Sequence, residues 1–145
     1  TLRGILHDSE VAIREAGATV EIGDLPTVTG DPTLVGQLFR NLVSNSLKYR
    51  TRERAPRIDI DSVTAVDGKL EIRIADNGIG IRAENVKKIF EPFARLHDRK
   101  QYEGTGIGLA ICRTVCERHG WTLHVESDFG RNSVFIVTIP EPREE

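Results

Sequence analysis

The sequence predicts an α/β (α+β) two-layer sandwich: a mixed, mostly antiparallel sheet with helices on one face. Three observations lead there. Apolar periodicity changes along the chain in the order helix, strand, helix, hairpin, helix, hairpin. Short turns join neighbouring strands, which implies antiparallel pairing. Amphipathic helices interleave with those strands, and each has one apolar stripe that a sheet face can cover.

Residues 2–16 carry helical periodicity, and Gly17 is placed to end that helix. Residues 18–22, ATVEI, alternate as a short strand. Leu25, Pro26 and Gly30 mark a turn. Asp31-Pro32 then opens a helix, with Asp as N-cap and Pro at the first helical position, running to about Tyr49. A charged loop, residues 51–56, leads to strands over 58–66 and 70–75, with Asp67-Gly68 as the hairpin signal between them. Residues 76–81 form a glycine-rich turn, and residues 84–89 are read as a short helix. Residues 94–105 are polar, basic and aperiodic, which predicts a loop. A second long helix spans 107–119 and ends at Gly120. Strands over 121–126 and 134–139 close the domain at Pro140, and 141–145 are expected to fray.

At 145 residues the chain is one domain's worth, long enough to bury a core. Charged residues make up 29% and the net charge is -2, which gives no bulk attraction to nucleic acid or to an acidic membrane. No apolar run approaches the ~20 residues of a membrane-spanning helix, and no signal peptide is visible. The chain starts at Thr1 and has no methionine, so a piece of a longer protein is expected. Cys112 and Cys116 stand four apart with no companion pair. Two buried free thiols in a reducing compartment are expected rather than a zinc site.

Within QLFRNLVSNSLKYR, Asn41, Asn45 and Lys48 fall on one helical stripe. Val35, Leu38, Phe39, Leu42 and Ser46 form the neighbouring stripe, which would face the sheet. Two carboxamide oxygens beside an ammonium suit a magnesium-bound polyphosphate. An ordinary solvated helix face has the same pattern, and the stripe alone favours that plainer reading. Asp76-Asn77-Gly78-Ile79-Gly80 ends a strand. Its acid can only accept hydrogen bonds when ionised, so it suits the exocyclic amine of adenine and repels guanine. A structural turn remains open there; a calcium loop would need further acidic ligands that are missing. Gly104-Thr105-Gly106-Ile107-Gly108-Leu109 precedes the second long helix, whose N-terminus could meet phosphate. No apolar strand precedes it and no GK[ST] follows, which removes the dinucleotide and Walker alternatives. Phe90 and Phe93 fit either a core or a site role. Arg95, His97, Arg99 and Lys100 lie in the loop leading into the phosphate turn, as a lid would.

Together these blocks resemble the catalytic domain of sensor histidine kinases, within the Bergerat (GHKL) ATP-binding superfamily. NLVSNSLKY resembles the N box, DNGIGI the first glycine box, IFEPFARL the F box and GTGIGLAI the second glycine box. ERHGWTLHVES and GRNSVFIVTIP resemble the closing segments, so the likeness covers roughly residues 31–140. RLH after the F box and GDLPTVTGDP before the N box are most similar to the phytochrome and PAS-sensor group.

The resemblance implies roles. Asn45 would be the main magnesium ligand with Asn41 assisting. Lys48 would touch phosphate, and Tyr49 would pack by the base. Asp76 would bind the adenine amine, with Gly78 and Gly80 shaping its pocket. Gly104, Gly106 and Gly108 would hinge a lid over residues 94–105 and reach the phosphates, beside Thr105 and Leu109, with Arg99 and Lys100 as lid cations. ATP and Mg2+ are the implied cofactors. The implied activity is transfer of the ATP γ-phosphoryl group to a histidine on a separate upstream dimerisation domain, absent from residues 1–145, with a response regulator downstream. A monomeric fragment of a homodimeric, cytoplasmic or membrane-anchored parent is expected, inactive without its acceptor. ATP-hydrolysing relatives carry Glu where Asn41 stands, and a carboxamide cannot take the proton of an attacking water. A hydrolysing clamp and a non-catalytic nucleotide-binding module are the alternatives. His7 is too close in sequence to Asn41 to be the acceptor, His119 is expected to cap a helix, and His124 to sit on a strand. Trp121 replaces a frequent Gly, and the late turn reads Gly130-Arg131-Asn132-Ser133. Altered packing away from the phosphate site is expected from both.

Overall fold

The computed structural model describes residues 10–15, 17–23, 30–48, 54–86, 88–90 and 108–140. A helical segment α1 (Glu10–Glu15) stands before Gly17, where φ is 66°. The Gly17 and Ala18 N–H groups close back onto Arg14 and Ile13, satisfying two terminal carbonyls. Strand β1 (Thr19–Ile22) follows.

Helix α2 (Pro32–Lys48) begins as its sequence dictates. Asp31 Oδ1 accepts from the N–H groups of Thr33 and Leu34 at 2.9 and 3.1 Å, and Pro32 needs no partner. Strands β2 (Arg57–Thr64) and β3 (Leu70–Asp76) form the expected hairpin. Helix α3 (Gly108–Arg118) then leads to the hairpin of β4 (Thr122–Asp128) and β5 (Asn132–Ile139).

Among the described residues five strands lie in the order β1-β2-β3-β5-β4. Of their pairings β1 with β2 is parallel and the other three are antiparallel. The mixed, mostly antiparallel sheet is therefore borne out. One sheet face and two helices share the core. Leu38, Phe39, Leu42 and Val43 of α2 and Cys112, Val115 and Cys116 of α3 bury against Ile58, Ile60, Ile72, Ile74, Phe135 and Val137. Both thiols are free, and burial pushes each up to about 12, so they act as small apolar side chains.

The described residues of 84–89 do not form the expected helix; among them stand two 3-10 turns, Ala83–Asn85 and Lys88–Phe90. Arg82, at the start of the first, offers no side-chain cap, and a nucleus so short closes no α-helical ring.

His119 joins the helix layer to itself. Its Nδ1 lies 2.8 Å from the Val115 carbonyl and its Nε2 accepts the Asp31 N–H at 3.1 Å, an arrangement that suits a proton on Nδ1. The end of α3 is thus tied to the start of α2. Trp121, buried at 6% exposure, lies against the same imidazole with ring centroids 4.6 Å apart. No described helix is long and apolar enough to cross a membrane.

Candidate functional site

The site grows out of the period of β3. Side chains alternate faces along a strand, so Leu70, Ile72 and Ile74 point into the core and Asp76 must follow them. An acid therefore ends a buried apolar row, at 8% exposure, opposite Ser133 on β5 and Ile58 on β2. Asp76 Oδ1 accepts the Gly78 N–H at 2.9 Å. Burial pushes the carboxyl up to about 6, with the Gly78 N–H and the nearby Ser46 hydroxyl holding it back. Ser46 comes from the sheet-facing stripe of α2 and is itself 4% exposed. Its Oγ faces Asp76 without reaching full hydrogen-bond geometry, and it has no other partner among the described residues. Two polar side chains, Ser46 and Asp76, are thus buried side by side at the edge of the core.

The turn after Asp76 is pressed onto the β4–β5 hairpin. Gly80 has φ 74°, and a Cβ there would fall 2.5 Å from the Asp128 carbonyl oxygen and 2.9 Å from Phe129 Cα. Only glycine meets both demands. Gly130 N–H donates to the Ile79 carbonyl at 2.6 Å, and Ile81 N–H donates to Ser127 Oγ at 2.7 Å. The Arg82 guanidinium lies 4.3 Å over the Phe129 ring. The late Gly130 turn thus lies directly behind the DNGIG turn. Arg54, read from sequence as part of a charged loop, also reaches these turns. No local signal could have shown this, because its partners stand up to 77 positions away.

On the other side, α2 presents Asn41 and Asn45 half-buried on one stripe, with the Asn41 amide near the Cys112 thiol of α3. Lys48 is the last residue of that helix. Gly108 opens α3, and Leu109 packs partly against the core. Phe90 meets Phe135 edge to face at 6.5 Å, so the first aromatic of the F box has a packing role. Tyr49, Phe93, Arg95, His97, Arg99, Lys100, Gly104, Thr105 and Gly106 lie outside the described residues, as does the whole of 94–105, where a lid is expected. Among the described residues no cluster of His, Cys, Asp or Glu could hold a metal.

Known proteins resemble the chain in sequence and in fold. Cyanobacterial phytochrome A of Nostoc sp. is 44% identical over 128 residues, covering 88% of this chain but only 16% of that protein. The chain is thus a small part of the length of such relatives. The mycobacterial sensor histidine kinase MprB superposes with a TM-score of 0.80 at 25% identity, covering 97% of this chain and 93% of that one. The catalytic domain of histidine kinase ThkA superposes with a TM-score of 0.76 at 28% identity, covering 97% and 91%. The profile described as "Histidine kinase-, DNA gyrase B-, and HSP90-like ATPase" matches residues 30–143, and the chain belongs to that family.

Proposed function

We propose that the chain is the ATP-binding catalytic domain of a two-component sensor histidine kinase, which passes the γ-phosphoryl group of ATP to a histidine on a separate dimerisation domain. The buried carboxylate of Asp76 carries this reading. A carboxylate at the end of a core row is costly unless something rewards it, and with a pKa of about 6 it is mostly ionised at neutral pH. In that form it accepts the exocyclic amine of adenine and opposes the guanine oxygen. The Gly78 N–H fixes one of its oxygens, so the acceptor is oriented before the base arrives.

The carboxamide oxygens of Asn41 and Asn45, half-buried on one stripe of α2, are of the hard-oxygen type that magnesium takes, with phosphates and water supplying its remaining ligands. Bound magnesium would supply charge neutralisation along the triphosphate. Asn45 and Asn41 would hold it, Lys48 would bring a positive charge to the phosphates, and Tyr49 would pack by the base. Gly104, Thr105, Gly106, Gly108 and Leu109 would meet the phosphates, with Arg99 and Lys100 closing over them. The chain's part is positioning and charge stabilisation. Asn41 supplies no base for water, which favours transfer over hydrolysis. An upstream dimerisation domain and a response regulator complete the proposed system, with the domain in the cytoplasm.

Incubation with γ-labelled ATP and magnesium, with and without the cognate acceptor domain, tests the reading. Label on the acceptor histidine, absent without that domain, is expected. Asn45→Ala should cut labelling about 10- to 100-fold while changing ADP affinity far less. Rapid phosphate release by the chain alone would replace the kinase with a hydrolase. Binding with neither outcome would leave a nucleotide-responsive module.

A further inference from the structure

Arg54 lies on the chain six positions after Lys48 and three before β2. Its guanidinium meets backbone carbonyls from two distant turns. Nε and Nη2 donate to the Asn77 carbonyl at 3.1 and 2.9 Å. Nη2 also lies 3.1 Å from the Gly78 carbonyl, 3.2 Å from that of Gly130 and 3.3 Å from that of Arg131. Two protons on Nη2 are shared among these oxygens, and the planar fork suits such a convergence better than an ammonium would.

The tie is reciprocal. Asn77 Nδ2 donates to the Ala55 carbonyl at 2.9 Å, and Asn77 Oδ1 accepts the Arg57 N–H at 2.9 Å. The Arg54 segment is therefore clamped by the turn that Arg54 clamps. Asn77 and Gly78 are also the residues next to Asp76, and the Gly78 N–H orients the Asp76 carboxylate. A shift of the peptide planes at 77 and 78 moves that donor.

We propose that Arg54 is a positioning residue for the base site. It locks the DNGIG turn to the β4–β5 hairpin, so that Asp76 and Gly78 are pre-set for the nucleotide, and it does so without touching the nucleotide itself. The inference rests on the adenine reading of Asp76 for its functional consequence, and its structural half can be measured without any ligand.

Two readouts on the same protein separate the halves. Amide hydrogen exchange without nucleotide should speed up about tenfold or more at residues 77–81 and 129–132 in Arg54→Ala, with the core amides of α2 unchanged. Calorimetric titration with ADP and with MgATP should show both affinities lowered by a similar factor, about tenfold, because the defect lies on the base side. Arg54→Lys should recover part of the loss in both readouts. Lys69→Ala, which removes an equal charge from the β2–β3 turn, should change neither. Unaltered exchange at both turns in Arg54→Ala would overturn the proposal whether or not nucleotide binds. So would faster exchange with ADP affinity held within twofold of the unsubstituted chain. If the unsubstituted chain took up no nucleotide, the adenine reading would fail, and exchange would still decide whether Arg54 sets the turn.

Discussion

Two turns of this molecule share one local device and differ in everything around it. Asp67 Oδ1 accepts the Lys69 N–H at 3.0 Å, and Asp76 Oδ1 accepts the Gly78 N–H at 2.9 Å. Each is an acid whose oxygen catches the backbone two residues on, with a positive-φ glycine close behind: Gly68 at 84° and Gly80 at 74°. The first turn only reverses the chain between β2 and β3. The Ala65 N–H reaches the Lys69 carbonyl at 2.8 Å, and the Asp67 and Lys69 side chains are more than half exposed. The second faces α2 and is backed by the β4–β5 hairpin and Arg54. The Asp-turn chemistry is thus common to a surface bend and a candidate site. Strand register, which points Asp76 inward, and the hairpin behind it make the difference.

The comparison can be broken first at the glycines. Gly80→Ala should cost about 3 kcal/mol or more in denaturant unfolding, because the added carbon meets backbone as well as an unfavourable φ. Gly68→Ala should cost about 1 kcal/mol, as expected for a φ of 84° in a surface turn. Equal losses at the two positions would mean that the hairpin does not press on the DNGIG turn.

A second expectation concerns pH. The Asp76 carboxyl is raised by burial from 3.8 to about 6, so between those values the folded chain holds a proton that the unfolded chain has released. Its contribution to stability therefore falls as pH rises from about 4 to about 6 and is level beyond, a change of about 2–3 kcal/mol. Asp76→Asn should flatten that slope in unfolding measured across the range. Base binding runs the other way, since the amine needs the ionised acid. ATP affinity should drop about tenfold per pH unit below 6 through this group, and the part lost in Asp76→Asn reports it. The smallest effect belongs to the surface turn. Asp67→Ala should shift stability by ~1 kcal/mol or less and leave nucleotide affinity unchanged in the same titrations.

Much of the fold was legible because its signals are local. The Asp31-Pro32 cap, the Asp67-Gly68 hairpin and the alternation of β3 each act within a few residues, and each stands where expected. His119 was legible as a helix cap for the same reason, but its second bond, to the Asp31 N–H, spans 88 positions and was not. The short helix over 84–89 was misread because apolar spacing there carries no cap to hold it. At the site, Asp76 and the α2 stripe were legible as residue types at a spacing. The Arg54 clamp and the steric demand on Gly80 arise from turns brought together across the sheet, and no window of sequence contains both partners. The burial of Ser46 beside Asp76 was half legible: its stripe was assigned to the sheet, while its place next to the acid depends on where β3 ends.

The most direct measurement is a calorimetric titration of MgATP into the chain and into Asp76→Ala at neutral pH, with circular dichroism establishing that both are folded. Saturable binding to the unsubstituted chain and a loss of about thirtyfold or more in the variant, close to 2 kcal/mol, are expected when a charged acceptor is removed. Equal affinity in the two proteins would contradict the assignment of Asp76 as the group that reads the base.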